Sequence, residues 1–245
     1  EKKKKSIFGR IVKWFFSLIL ILLLLIIGIL LFIQTDTFDK IALDFILDKV
    51  NASFESKDSR IYAESLEGNI FKGITLKNGS VRVKSDTLLK FNSIETEYNI
   101  LALLNHEISV QNVIIKQPQI NLTTVRDKND SLKWNFDYLL SSDEPDTDTT
   151  TSEFDWGITA DNVQIENGAF RFLENKNSGL PISEIMMRNI DTIDFSNFDV
   201  NDFNLQLSAK YFPDEKEADI KSISFKTNSD FNVNELSLKA NLNRK

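Results

Sequence analysis

The sequence predicts a mainly β protein carried behind a single N-terminal membrane anchor. Three observations carry that expectation. Residues Trp14 to Ile33, WFFSLILILLLLIIGILLFI, are twenty consecutive positions without a charge. One amphipathic stretch follows, over residues 35–54. From residue 60 onward, short runs put an apolar side chain at every second position, as strands with one apolar and one polar face do.

Residues 1–13 read as a cytoplasmic basic tail. Lys2, Lys3, Lys4, Lys5, Arg10 and Lys13 stand against Glu1, which leaves 23 basic and 35 acidic residues in the remainder, a net of −12 within an overall −7. A body that acidic repels phosphate backbones, so no nucleic-acid partner is expected. Residues 14–34 read as the transmembrane anchor, since twenty helical residues span about 30 Å, the thickness of a bilayer's hydrocarbon. A cleaved signal peptide has an apolar core of about 7–15 residues and a small-residue cleavage site. FIQTDTFDK offers no such site. Lysines before the run and Asp36, Asp39, Asp44 and Asp48 after it put the N-terminus in the cytoplasm and everything from about residue 35 outside it.

Residues 35–54 read as an amphipathic capping helix. Phe38, Ile41, Ala42, Phe45, Ile46 and Lys49 or Val50 follow helical spacing, with Lys40, Asp44 and Asp48 on the other side and Thr35, Asp36 or Thr37 placed to cap the first turn. Its acidic polar side suits packing over the end of a β structure better than lying on a membrane. Residues 55–140 and 156–245 read as two β segments joined by an acidic loop, SSDEPDTDTTTSEFD, at 141–155. Asn78-Gly79 and Asn167-Gly168 read as tight turns. Tyr98 to Asn105 reads as a short helical insert with Ile100, Leu101 and Leu104 on its apolar side. VQNVIIKQPQINL and ADNVQIENGAFRF share N-V-x-I, so similar hairpins are expected to stack beside each other. The first residue is Glu, and the last residues, NELSLKANLNRK, still alternate, so the chain is expected to be the N-terminal piece of a longer protein.

No catalytic set emerges. Gly68 and Gly73 match half of a phosphate loop, but Ile74 occupies the lysine position and LKNGSVRV continues as strand rather than helix. The two glycines read instead as turn residues of a hairpin, with Ile70, Phe71 and Ile74 feeding the apolar face. The chain has no cysteine, and its one histidine, His106, sits in a turn opening a strand, so nucleophilic triads and zinc sites lack their parts. Glu95 and Glu97 fall on a strand's polar face. Asp146 and Asp148 begin a D-x-D, but Thr151 and Gly157 stand where a calcium loop needs Gly and Glu. The expectation is a non-enzyme without cofactor or metal.

What remains is surplus apolar sheet. Candidate face residues are Ile108, Val110, Ile115, Ile120, Leu122, Ile165, Phe170 and Phe172. One helix is too little to cover them. A second sheet would close a sandwich, the commoner solution; a curved open sheet would hold something apolar.

The pieces resemble the AsmA-like family, in particular the N-terminal region of TamB-type envelope proteins of diderm bacteria. The likeness covers roughly residues 7 to 175. It rests on a basic tail and anchor followed by FDKIALDFILDKV, on LEGNIFKGITLKNGSVRV, on the run LLKFNSIETEYNILALLNHEISVQNVIIKQPQINL, and on DSLKWNFDYLL before the acidic linker. The resemblance implies a curved antiparallel β-groove, built from repeats and anchored in the inner membrane, with its bulk in the periplasm. It implies an apolar lining, including the eight residues above, that guides phospholipid acyl chains toward the outer membrane. Its alternative implication is an assembly factor for outer-membrane proteins, acting with a barrel partner through a C-terminal region this chain lacks.

Overall fold

The computed structural model describes residues 24, 25, 28, 31–54, 58–84, 86–126, 132–140, 155–174, 194, 196–228 and 231–243. Most of the expected anchor and the basic tail lie outside these, as does the acidic loop apart from Asp155. Among the described residues, no helix is long and apolar enough to cross a membrane.

The alternating runs form strands. They are β1 (Ser59–Tyr62), β2 (Ser65–Asn69), β3 (Gly73–Val83), β4 (Asp86–Asn99), β5 (Glu107–Lys116), β6 (Gln119–Arg126), β7 (Leu132–Trp134), β8 (Gly157–Leu173), β9 (Asn197–Tyr211), β10 (Glu215–Thr227) and β11 (Asn232–Asn243). All belong to one sheet of order β1-β3-β4-β5-β8-β9-β10-β11, with β2 on β3 and with β6 on β4, β7 and β8. β5 and β6 run end to end between β4 and β8, parted by Gln117 and Pro118 alone.

The sheet is mixed, not antiparallel throughout: β5 and β6 both lie parallel to β8. The reason is the sequence repeat. Every partner of β5 and β6 in β8 lies fifty positions later, from Glu107 opposite Gly157 to Thr123 opposite Leu173. The two N-V-x-I copies thus stack side by side as parallel strands, not as the expected antiparallel hairpins. Asn162 donates a side-chain hydrogen bond to Asn112 across the pair at 2.7 Å. A parallel neighbour needs a long crossover. Residues 127–156, which carry β7 and the single-turn helix Asp137–Leu140, supply it.

The two Asn-Gly pairs are kinks inside strands rather than turns. Asn78 and Asn167 adopt positive φ in mid-strand, and the chain continues in the same direction on either side. The turn that does occur in this region, Asn69 to Lys72, lies between Gly68 and Gly73. Gly68 has φ +125°, and a side chain on Gly73 would collide with the Thr96 carbonyl. Lys72 N–H closes the turn on the Asn69 carbonyl at 2.9 Å, and Ile70 and Phe71 at its tip are exposed rather than part of the apolar face.

Helix α1 (Asp36–Phe54) packs on β1 and β2, with Thr35 accepting from Phe38 N–H as its cap. It turns a different side to the sheet than the one expected. Leu43 is buried, with Leu47, Val50 and Phe54 half-buried beside it, whereas Ile41, Phe45 and Ile46 are exposed. Apolar residues occupy well over half its circumference, and the sheet covers only part of them. Asn51 completes the edge: its side chain accepts from Ile61 N–H at 2.7 Å and donates to the Ile61 carbonyl at 2.9 Å, as a neighbouring strand would. The insert before β5 is a 3-10 helix, Ile100–Asn105, in which Ala102 is buried and Leu101 and Leu104 are exposed. His106 ends it in the left-handed region, its ring edge-on to Trp156.

No sandwich forms among the described residues. Strands contact their neighbours within the sheet, and no second layer packs over it. The largest fully buried side chains, Val83, Leu173 and Asn135, lie instead near the ends of β3, β7 and β8.

Candidate functional site

The strand registers assemble apolar side chains into rungs that run across the sheet. Partners in a register share a face, so one rung is Leu76, Ile94, Ile115, Ile165, Leu205, Ile223 and Leu236, spanning seven strands. A second, one step away, is Ile74, Thr96, Val113, Val163, Leu207, Ile220 and Leu238. Their members are half-buried, except Leu236 and Leu238 on β11, which are exposed.

All eight sequence-selected residues lie on this face, although their numbering changes parity along the strands. Two sets of bulges account for that. Ala160 and Val163 face Ala209 and Leu207, two apart on β9, so the bulge between them returns β8 to the same side. Val110 and Ile108 follow as the partners of Ala160 and Ile158. Farther along β8, Asn167 at φ 52° inserts one extra residue. A Cβ on Gly168 would touch Ile165 at 3.2 Å and Pro118 at 3.3 Å, so the strand resumes with Gly168 on Ile165's side and bends toward it. Phe170 and Phe172 then share that side with their partners Ile120 and Leu122.

The kinks are aligned. Asn78 in β3, Gln117 between β5 and β6, Asn167 in β8 and Asp202 in β9 all have φ near 50° and all are exposed. Left-handed backbone tolerates Asn and Asp best among residues with a side chain. On the other side of this line sit Gly79, Phe91, Pro118 and Gly168, all buried. The Phe91 ring fills the space over Gly79, where a Cβ would come within 1.9 Å of its Cζ. The sheet is therefore creased along one line that crosses β3, β8 and β9.

Past the crease, aromatic rings line one rim. Trp134 and Phe172 have centroids 4.5 Å apart, Phe172 and Phe198 5.7 Å, and Phe170 and Phe198 5.9 Å. The opposite face is polar. Lys116 donates to Glu95 at 2.6 Å, Gln206 to Asn162 at 3.1 Å, and Arg171 to Asp199 at 2.9 Å. The hydrogen bond from Lys116 holds the Glu95 carboxyl below the usual 4.5, and the same bond raises the Lys116 ammonium. Burial pushes the Tyr98 phenol up; its hydroxyl donates to the Ile70 carbonyl at 2.7 Å.

Sequence reasoning missed Leu76, Ile94, Trp134 and Phe198 as members of this face. Leu76 and Ile94 were visible as alternating positions, but their place in the rung depends on strand order. No family model and no curated protein matches this chain. What fold and site define is a class: a creased, open β-sheet with one continuous apolar face and no covering layer among the described residues.

Proposed function

We propose that this protein is an inner-membrane-anchored, non-enzymatic conduit whose apolar face carries phospholipid acyl chains across the periplasm toward the outer membrane, as the AsmA-like, TamB-type proteins it resembles do. One observation carries the reading: the seven-strand rung through Ile115 and Ile165 is continuous, and no second layer covers it among the described residues. Six strand spacings of about 4.8 Å make it roughly 29 Å long. Hydrocarbon needs apolar area and no particular group, and each shielded methylene is worth about 0.8 kcal/mol. Lipid would run along the rungs, crossing the strands from the α1 end toward β11.

The reading is tested by photo-reactive residues at Ile115, Phe170 and Phe172 in cells. Phospholipid adducts are expected at all three positions. Adducts to protein alone would refute conduction.

A second reading rests on β11. It is a strand of twelve residues with β10 as its only neighbour among the described residues, and Leu236 and Leu238 on it are exposed. Such an edge can accept a strand from another chain, as an assembly factor for outer-membrane proteins would require. Proline at Ser237 would impair that function while leaving lipid adducts at Ile115 intact.

A further inference from the structure

The side of α1 that the sheet leaves bare continues an apolar surface that starts before the helix. Phe38, Ile41 and Phe45, spaced three and four residues apart, lie along one side of α1. The Phe32 ring meets Phe38 edge-on at 5.8 Å, which joins this stripe to Leu31 and Phe32 across a turn held by Thr35 N–H on the Phe32 carbonyl. Leu31, Phe32, Ile41 and Phe45 are all exposed. Leu31 and Phe32 lie at the end of the twenty uncharged residues 14–33, and Ile41 and Phe45 come eight and twelve residues after it.

We propose that α1 lies in the interface of the membrane that holds the anchor, with Ile41 and Phe45 among the lipids and Leu43, Leu47 and Val50 on the sheet. This rests on the anchored reading above. A span ending at Ile33 leaves α1 starting at the headgroup level, because only Gln34 and Thr35 separate the two. A solvated position would leave Ile41 and Phe45 in water next to a bilayer that can take them. Lys49, whose ammonium sits 5.8 Å from the Phe45 ring centroid, has the length to reach phosphate while its stem follows the ring. The acidic residues Asp44, next to Phe45, and Asp48, three positions after it, line an open cleft on the β1 side with Asn51, Arg60 and Arg82. The consequence is an orientation: α1 sets β1 to β3, the first strands of the conduit, at the bilayer surface, where a lipid enters.

The chain has no cysteine, so single nitroxide labels report cleanly. The whole chain is reconstituted in vesicles of phosphatidylethanolamine and phosphatidylglycerol. Labels are placed singly through Leu24→Cys, Ile41→Cys, Asp44→Cys and Phe45→Cys, and collision with oxygen is compared with collision with a water-soluble nickel chelate. The expected result is a several-fold higher oxygen-to-nickel ratio at 41 and 45 than at 44. Lipid exposure at 24 with water exposure at 41 and 45 overturns the placement of α1 and leaves the anchor standing. Water exposure at 24, 41 and 45 together overturns both. Because Ile41 and Phe45 are exposed, these variants keep the fold, and an unchanged far-ultraviolet spectrum checks it.

Discussion

Two regions of this sheet use apolar residues in opposite ways. At the corner where β3, β7 and β8 end, Leu173 and Asn135 are 0% exposed, and the Asn135 side-chain amide and backbone N–H are all hydrogen-bonded. Its Oδ1 accepts from Thr123 N–H, its N–H donates to the Thr123 carbonyl at 2.8 Å, and its Nδ2 donates to the Asn121 carbonyl at 2.7 Å. Along the rungs through Ile115 and Ile165 the residues are half-buried or exposed, and no layer covers them among the described residues. The difference separates roles. Removal from water is complete at the corner, so stability concentrates there. The rungs hold unspent apolar area, which is what a lipid surface needs.

Changes at the corner should therefore unfold the protein, and changes on the rungs should alter what it carries. The largest effect is expected from Leu173→Ala, at about 3 kcal/mol of lost stability, read from denaturant unfolding followed by far-ultraviolet dichroism. Asn135→Ala comes next at roughly 2 kcal/mol, because Thr123 N–H and the Asn121 carbonyl lose partners inside the fold. Hydrogen exchange should show the loss first at Thr123. At the crease, Gly79→Ala should cost about 1.5 kcal/mol, since the new Cβ must displace the Phe91 ring. The cost should shrink in a Phe91→Ala background, where the ring is gone. On the rung, Ile115→Asp should cost only about 1 kcal/mol yet remove lipid adducts from a probe at Phe172. If it unfolds the protein as Leu173→Ala does, the division between the regions is wrong.

The smallest effect concerns pH on the polar face. The hydrogen bond from Lys116 lowers the Glu95 carboxyl, so its stabilisation is present above the usual 4.5 and lost as pH falls through the lower folded value. Lys116 is raised above 10.5, so its share is present below that value and lost as pH rises beyond it. A Lys116→Met protein should melt slightly earlier than the wild type at pH 7, and the gap should close in acid as Glu95 protonates. Lipid adducts at Ile115 should not change, because Lys116 lies on the other face.

Much of this was legible from residues alone. Alternation located the strands, and it picked Ile108, Val110, Ile115, Ile120, Leu122, Ile165, Phe170 and Phe172 as one set although bulges shift their spacing, because apolar residues track the face whatever the count between them. The N-V-x-I repeat was legible as a repeat but not as a parallel pair: similarity says that two segments play the same part, and strand order and direction depend on a crossover far along the chain. Asn78-Gly79 and Asn167-Gly168 misled for a related reason. Positive φ suits both a hairpin turn and a mid-strand kink, and only the neighbours at Gln117 and Asp202 make it a crease. For α1, helical periodicity marked a broad apolar surface but could not choose which part meets β1 and β2.

The sequence by itself determined where strands lie, which of their residues are apolar together, and that the parts of common nucleophilic and zinc chemistry are missing, since these depend on residue type and a period of two. Only the tertiary structure decided that the apolar positions join into rungs across seven strands, that an aligned row of kinks keeps them on one side, and that no second layer packs over them among the described residues. Those are matters of which segments become neighbours, and pairing energy is settled between residues far apart in the chain.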